Sequence, residues 1–306
     1  MAAVLPSPQA TKLNPVQLEA ALNRGDLGDV LQQIELGWKF QYEDYYQGKL
    51  TSQYLTLDQI QQRLYQIKKR TGKATALIYA VPGAKQLDLL LVPPEGKPLH
   101  RRIQSADRET LTKTLQALRI GVVNPSSEPQ DYLPAAQQLH QWLIAPLESD
   151  LKAQKIDTLI FCMGTGLRSL PLAAIHDGKQ FLVEKYNLAL IPAFNLLDHN
   201  PAVLNGTKVL AMGASEFKAQ PPLPAVELEL SMITQERPGR SLLNREFTLE
   251  KLQAERSRYP FGIIHLATHA DISAQSAEDS TLQFWDRPFP LTQMNRLNFR
   301  APWSNS

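Results

Sequence analysis

The chain has 306 residues, of which 43% are hydrophobic and 20% are charged, both ordinary values for a globular protein. Its 32 Lys and Arg residues nearly balance its 30 Asp and Glu residues, which leaves a net charge of +2. This balance gives no electrostatic reason to expect nucleic acid or an anionic membrane as the partner, and we predict neither.

The single cysteine, Cys162, excludes an intramolecular disulfide and any metal site built from paired cysteines. The N-terminal residues lack the charged and apolar regions of a signal peptide. No apolar run approaches the ~20 residues that a membrane-spanning helix needs. We therefore expect a cytoplasmic protein without a membrane anchor.

Residues 1–14 are rich in Pro, Ser and Ala, and we predict that they are disordered. Residues 15–55 have the apolar periodicity of a helical lead-in, with a break between two helices at Gly25-Asp26. The second of these helices ends in an aromatic cluster at residues 38–46. Such a cluster more often packs than binds a ligand, and we interpret it as packing.

Thr56 and Gln59 form a capping box at the start of the next helix. Hairpin-length turns separate the strand-like runs that follow, which predicts an antiparallel meander. The runs are Ala74–Val81, Gln86–Val92 and Leu99–Ser105. Asp107 caps a further helix, and another is predicted from about Leu133 to Lys155 with a kink at Pro146.

The second half of the chain has continuous apolar runs, which are typical of strands buried on both faces. They are Asp157–Met163, Tyr186–Ile191, Lys208–Met212 and Gly262–Ala267. Helical segments separate the later runs, and this alternation predicts right-handed crossovers and a mostly parallel sheet. The expected fold class is α/β, with three layers preceded by N-terminal helices and an antiparallel β-meander.

Functional residues of parallel sheets gather at the carboxyl ends of the strands, where this sequence places His269. On a strand, His265 and His269 would lie about 13 Å apart, at ~3.3 Å per residue, which is too far for one metal ion. We therefore predict no metal site. We expect His265 to pack in the core, and His269 to face solvent as a general base.

A second strand end, at residues 164–171, has two glycines but lacks the third glycine and the acidic residue of a dinucleotide-binding fingerprint. A tight turn explains these glycines better than a phosphate site does. Thr165 and Ser169 have no evident catalytic partner in the sequence. Cys162 lies in a buried apolar run, which favours an inert thiol. We predict no cofactor and identify no nucleophile.

Three segments in order resemble the CHAT domain, a family of caspase-like cysteine peptidases related to separase. They are DTLIFCMGTGLRSLPLAAIHDGKQFLVEKYNLALIPA, KVLAMGAS and GIIHLATHADISAQSAEDSTLQFWD. The combination of LRSLPLAAIHDG at 167–178 with HLATHA is the most specific part. The resemblance implies a CHAT-like domain over residues 56–306, with a meander and helix part at 56–155 and a caspase-like α/β part at 156–306.

The resemblance also implies roles for individual residues. His269 matches the catalytic histidine, and the backbone N–H of Ala270, where the family usually has glycine, would help to bind the oxyanion. In the family, the next strand ends in Ser-Ala-Cys, and this cysteine is the nucleophile. Here that strand would begin near Pro302, shortly before the sequence stops. We therefore expect an incomplete domain whose nucleophile strand is missing.

Three functional hypotheses follow from the resemblance. The first is a CHAT protein without peptidase activity, and the second is a peptidase completed by a separate polypeptide that supplies the cysteine. The third is a non-catalytic interaction or scaffold module, which would bind its partner through residues 38–46 or the loop at 164–171. In each case the expected partner is a protein or peptide, with the open edge of the unfinished sheet as a candidate docking surface.

Overall fold

A computed structural model of the chain describes residues 12–46, 48–50, 54–197, 206–273 and 278–297. The chain divides into two compact units: unit 1 holds residues 1–43 and 49–199, and unit 2 holds residues 44–48 and 200–306. Most of the segment predicted to be disordered, and the position near Pro302 where a further strand was expected, lie outside the described residues.

Unit 1 begins with three helices, and the last two residues of the second helix, Asp44 and Tyr45, are counted in unit 2. The helices are α1 (Pro15–Arg24), α2 (Leu27–Tyr45) and α3 (Leu57–Thr71). Asn14 caps α1, and Gly25 ends it with a φ of 72°, a left-handed conformation that glycine adopts without strain. The predicted capping box of Thr56 and Gln59 at the start of α3 is confirmed.

A five-stranded sheet forms the centre of unit 1, in the order β3-β2-β1-β4-β5. The strands are β1 (Thr75–Pro82), β2 (Leu87–Val92), β3 (Leu99–Ile103), β4 (Thr158–Met163) and β5 (Asn187–Ile191). The first three form the predicted antiparallel meander, whereas β4 and β5 continue the sheet in parallel from β1. The meander and the first parallel strands therefore share one sheet.

Helices cover both faces of this sheet, which gives unit 1 the expected three layers. Alternate residues of a strand point to opposite faces, so Ile78 of β1 packs on one side and Leu77 on the other. Helices α1, α2 and α3 cover the face of Leu77. The face of Ile78 is covered by α4 (Arg108–Val123), α5 (Pro129–Leu143) and α6 (Glu148–Ala153). Pro146 lies in a 3₁₀ turn that separates α5 from α6.

Two short elements complete the connection from β4 to β5. They are a 3₁₀ turn at Leu172–Ala174 and α7 (Leu182–Lys185). A further 3₁₀ turn, Phe194–Leu196, follows β5. Of the helices that the structure describes in both units, none is long and apolar enough to cross a membrane.

Unit 2 contains a parallel sheet in the order β7-β6-β8. Its strands are β6 (Val209–Gly213), β7 (Gly239–Leu243) and β8 (Ile263–Ala267). Helix α8 (Val226–Glu236) connects β6 to β7, and α9 (Leu249–Arg258) connects β7 to β8. An antiparallel sheet follows, made of β9 (Ala270–Asp271), β10 (Thr281–Gln283) and β11 (Pro288–Pro290).

Candidate functional site

The carboxyl ends of β6 and β8 form the edge of unit 2 that carries His269. The chain leaves β6 for β7 on one side, and then returns to add β8 on the other side. Where the strand order changes direction in this way, a crevice opens at the carboxyl ends of the strands. His269 follows Ala267, the last residue of β8, by a single intervening residue, so it lies at this end of the sheet.

Gly213 allows β6 and β8 to approach closely at the same edge. A Cβ atom on Gly213 would lie 2.6 Å from the carbonyl oxygen of Ala267 and 2.8 Å from Cγ1 of Val226. The strand pairing continues beyond β6, since the N–H of Ala214 donates to the carbonyl of Ala267 at 3.2 Å. The chain that follows β6 is therefore held beside the chain that carries His269.

A backbone carbonyl orients the imidazole of His269. Nε2 lies 2.8 Å from the carbonyl oxygen of Pro221, in the loop between β6 and α8. A carbonyl only accepts hydrogen bonds, so in the neutral ring Nε2 is the nitrogen that carries the proton and Nδ1 has the lone pair. The ring of Phe217 meets the imidazole at 66°, with the centroids 4.8 Å apart. A neutral imidazole held in this tautomer can accept a proton at Nδ1.

The backbone N–H of Ala270 points away from the neighbouring strand. The N–H of Gln283 donates to the carbonyl of His269 at 3.0 Å, and Ala270 faces Leu282 in the register of β9 with β10. In an antiparallel ladder, the amide next to such a bonded residue points outward. Among the described residues, positive φ outside glycine occurs only at Lys155 and Asn244, so alanine at position 270 is unstrained.

Ser280, from the segment that resembles the family after the histidine strand, has a structural role. It is fully buried, and its Oγ accepts from the N–H of Ser273 at 2.8 Å and lies 3.1 Å from the hydroxyl oxygen of Tyr45. Its carbonyl accepts from the N–H of Leu291 at 2.8 Å. A hydroxyl enclosed in this way ties down the chain after β9 and is not accessible to a substrate.

Cys162 is fully buried in β4 of unit 1, as its apolar context predicts. Burial raises the pKa of its thiol well above the usual value, and the nearby carboxyl of Glu35 adds to this effect. The thiol therefore stays protonated near neutral pH. Since the thiolate is the reactive form, the structure leaves the only cysteine of the sequence unreactive.

Thr165 and Ser169 are exposed in the loop that follows β4. The guanidinium of Arg119 donates to Oγ of Ser169 at 3.3 Å. In the described part of the chain, neither hydroxyl bonds a histidine or a carboxylate that could activate it. The structure therefore gives these two residues no catalytic partner.

The second residue of the LRSLPLAAIHDG segment, Arg168, fixes the end of β4. Nε of Arg168 donates to the carbonyl of Met163 at 3.1 Å, and Nη2 donates to Oε1 of Gln41 at 2.6 Å. The guanidinium also lies over the ring of Tyr42, 4.8 Å from its centroid. Trp38 is 1% exposed. Trp38 and Tyr42 therefore pack within unit 1, as the interpretation of the cluster at 38–46 expected, whereas Tyr46 is 39% exposed.

The end of the same segment is a tight turn built around Asp177. Although desolvation opposes ionisation, hydrogen bonds from the N–H groups of Gln180 and Lys179, together with the ammonium of Lys185, lower the pKa of Asp177. Gly178 adopts a φ of 97°, which favours glycine. This segment, the most specific part of the family resemblance, therefore positions the chain between β4 and β5.

The prediction that His265 packs in the core is wrong. Its side chain is 33% exposed, and its Nε2 lies 2.9 Å from Oε1 of Glu229 on α8. The apolar run of β8 suggested burial on both faces, but β8 lies at the edge of its described sheet. In the described ranges of the chain, no group of three or more His, Cys, Asp or Glu side chains is placed to hold a metal ion.

A separate cleft lies in unit 1, at the carboxyl ends of β1 and β4. These strands are parallel neighbours, and the chain leaves β1 toward β2 and β4 toward β5, on opposite sides. The cleft has a volume of about 800 Å³ and is lined by α1, the turn after β1 and the loop after β4. Its size and position are typical of a ligand site in an α/β protein.

The charges of this cleft are unequally compensated. Its carboxylates, Glu19 and Asp88, pair with Arg102 at 3.0 Å and 2.9 Å. Lys85 and Arg108 also line the cleft, and no ion pair joins either of them to a carboxylate of the described residues. The cleft therefore offers two cations, Lys85 and Arg108, that are not paired with a described carboxylate, beside apolar walls, while the charges of its lining as a whole balance.

Comparison with known proteins gives one family match. The family described as CHAT domain matches residues 133–302 of this chain, a range that includes His269 and Ala270. None of the curated proteins matches the chain. Among solved structures, a chain from the "PilM-PilN type IV pilus biogenesis complex" is 18% identical, with a TM-score of 0.26. That similarity covers 44% of this chain and 41% of the other, so this chain spans less than half of that protein.

Proposed function

This chain belongs to the CHAT domain family, which is related to caspase-like peptidases, and we propose that it supplies the histidine side of a cysteine peptidase site. In this proposal, His269 is the general base, and the N–H of Ala270 helps to bind the oxyanion. The observation that carries the proposal is the 2.8 Å contact between Nε2 of His269 and the carbonyl oxygen of Pro221. This contact leaves Nδ1 able to accept a thiol proton.

In the same proposal, residues 1–306 do not cleave peptides by themselves. Their only cysteine, Cys162, is fully buried and its pKa is raised. The hydroxyl of Ser280 is also fully buried. Catalysis of this type needs a nucleophile within hydrogen-bonding reach of the base, and removal of the nucleophile abolishes most of the rate enhancement.

The edge of β8 is the place we propose for the nucleophile strand. Among the described strands, β8 pairs only with β6, and the side chains of Ile264 and Leu266 are partly exposed. Unpaired backbone groups beside partly exposed apolar side chains suit the addition of a strand. That strand comes either from residues of this polypeptide outside the described ranges or from a separate polypeptide.

With such a strand in place, the site would follow the chemistry of thiol peptidases. The cysteine thiol would give its proton to Nδ1 of His269, and the thiolate would attack the scissile carbonyl carbon. The N–H of Ala270 would donate to the oxygen that becomes negative. The imidazolium would be stabilised by its hydrogen bond to the carbonyl of Pro221 and would then protonate the leaving amine.

Peptidase assays on the purified 306-residue chain test the first part of the proposal. We expect no cleavage of a fluorogenic peptide library by the wild-type chain, by Cys162→Ser or by His269→Gln. If the wild-type chain is active and Cys162→Ser is not, the claim that the chain lacks a working nucleophile is wrong.

The source of the nucleophile is tested by reading the DNA that follows codon 306 in all three frames. If it encodes a cysteine-bearing strand, we expect the longer product to be active, and His269→Gln to lower kcat/KM by roughly 10³-fold or more. A longer product that keeps its full activity with His269→Gln would reject His269 as the base.

The cleft of unit 1 favours a second function, the binding of an acidic peptide by the scaffold alternative. Its apolar walls would hold aliphatic side chains, while Lys85 and Arg108 would attract carboxylates. We expect a fluorescent peptide of alternating Leu and Glu to bind, with Arg108→Glu weakening it about tenfold. The exposed Arg63→Glu is the charge-matched control. Equal binding of a Leu-Lys peptide would refute this function.

A further inference from the structure

We infer that Ser215 and Asn244 are positioning residues that set the orientation of His269 through the carbonyl of Pro221. The catalytic meaning of this inference rests on the proposed function of His269, but its geometry does not. The carboxyl ends of β6, β7 and β8 lead to Ser215, Asn244 and His269 respectively. Each strand of this sheet is therefore followed by one residue that contributes to the position of the His269 imidazole.

Asn244, the residue directly after β7, has an unusual backbone conformation. Its φ is 51°, in the left-handed region that disfavours most residues other than glycine and that asparagine tolerates best. Its Oδ1 accepts from the N–H of Ser215 at 2.9 Å. Because that N–H can only donate, the amide orientation is fixed, and Nδ2 is placed 3.1 Å from Oγ of Ser215.

Ser215 connects Asn244 to the start of α8 through hydrogen bonds. Its side chain is buried, and its hydroxyl donates to Oε1 of Glu227 at 3.0 Å while it accepts from Nδ2 of Asn244. Glu227 lies in the first turn of α8. Ser215 therefore joins the ends of β6 and β7 to the helix that follows the loop of Pro221.

The backbone of Ser215 closes that loop. Its carbonyl accepts from the N–H of Leu223 at 2.8 Å. The enclosed residues include Phe217 and Pro221, both of which contact His269. The loop is also stiff, because prolines at 221, 222 and 224 restrict φ. A displacement of Ser215 would therefore move the carbonyl that holds Nε2 of His269.

Strained backbone that is held by buried hydrogen bonds often serves a functional site. Here the left-handed Asn244 has no contact with His269 in the described structure, yet its hydrogen bonds lead to the group that orients the imidazole. The effect of losing the Asn244 side chain should consequently appear in the tautomer of His269, which a purely structural residue would not change.

The test is an NMR measurement of the two neutral tautomers in the 306-residue chain with ¹⁵N-labelled histidine, using His269→Gln to assign the resonance. In the wild-type chain, we expect the Nε2–H form to dominate. Asn244→Gly keeps the left-handed backbone without strain and removes only the amide. We expect it to lower the ratio of the Nε2–H to the Nδ1–H form by about fivefold, as befits one weakened hydrogen bond.

Two variants serve as matched controls. Asn244→Asp keeps an oxygen that accepts from the N–H of Ser215 but loses the donor to its Oγ, so we expect a ratio between those of the wild-type chain and Asn244→Gly. Ser257→Ala removes an exposed hydroxyl of α9 that bonds within its own helix, and we expect no change. Ser215→Ala provides a second perturbation of the same hydrogen bonds and should shift the ratio in the same direction as Asn244→Gly.

An unchanged tautomer ratio in folded Asn244→Gly would overturn the inference. An equal shift in Ser257→Ala would also overturn it, because the effect would then be a general loss of order. If Asn244→Gly does not fold, Ser215→Ala decides in the same way. These ratios are measured without substrate or nucleophile, so they stay informative even if the peptidase proposal fails.

Discussion

At the scale of single residues, the buried carboxyl of Glu35 shows how unit 1 tolerates a titratable group in its core. Glu35 is 1% exposed and accepts from the hydroxyl of Tyr79 at 2.6 Å. It also accepts from the N–H groups of Phe194 and Asn195, at 2.9 Å and 2.8 Å. Burial nevertheless outweighs these hydrogen bonds and raises the pKa of Glu35.

The raised pKa gives a prediction for Glu35→Gln. Proton binding by the folded state stabilises the wild-type chain below the unfolded pKa of ~4.3, and this stabilisation is lost as the pH rises through the folded pKa. At acid pH, we expect the free energy of unfolding of the variant to be about 1–3 kcal/mol lower than that of the wild-type chain, because Nε2 of the new Gln side chain cannot accept from the N–H of Asn195. At higher pH, we expect this difference to be smaller. Urea unfolding at several pH values measures this, with exposed Glu109→Gln as the control. A cost that grows with pH would contradict the prediction.

At the scale of helices and strands, local sequence patterns predict the features that are set by residues close together in the chain. The caps of α1 and α3, the meander and the apolar runs of β4, β6 and β8 follow from such patterns. The strand β7 could not be predicted in this way, because it is mostly exposed and has little apolar pattern. The parallel pairing of β1 with β4 depends on residues far apart in the chain.

At the candidate site too, local sequence patterns predict some features, while others depend on residues far apart in the chain. His269 is found from its position after an apolar run, and its family match comes from the residues around it. Its orienting group is the carbonyl of Pro221, which every residue type possesses and which lies 48 positions away in the sequence. Sequence patterns therefore reveal the side chain at this site but not the hydrogen bond that gives it a tautomer.

The close approach of β6 and β8 is tested by Gly213→Ala. The added Cβ would lie 2.6 Å from the carbonyl oxygen of Ala267, so the strands must separate. We expect a loss of about 1–3 kcal/mol in the free energy of unfolding. The control is Gly28→Ala, whose Cβ would meet only a side-chain oxygen at 3.5 Å within α2. That variant should gain roughly 0.5–1 kcal/mol. An unchanged stability of Gly213→Ala would refute the argument.

At the scale of the whole molecule, each unit has its own sheets and its own apolar cores. The core clusters of β1 and β4 contain only residues of unit 1, and those of β6 and β8 contain only residues of unit 2. In each unit the order of the parallel strands also changes direction at one point, between β1 and β4 in unit 1 and between β6 and β8 in unit 2. The peptidase and peptide-binding proposals thus belong to different units.

Because their cores are separate, changes in the two units should act independently. We expect the free-energy costs of Glu35→Gln and Gly213→Ala to add to within about 0.5 kcal/mol in the double variant. Chemical denaturation of the wild-type chain, both single variants and the double variant measures this. A coupling larger than about 1 kcal/mol would show that the cores are not energetically separate.

The carbonyl that orients His269 belongs to the peptide backbone, and this has a consequence for mutagenesis. Peptidases that orient their histidine with an acidic side chain reveal that residue in an alanine scan. A scan of this site would pass over position 221, because alanine has the same carbonyl as proline. The orienting group can be weakened by chemistry on the main chain, such as an ester bond in place of the amide after Pro221. Mutation of the gene can affect this carbonyl only indirectly, by changing the side chains that shape the loop.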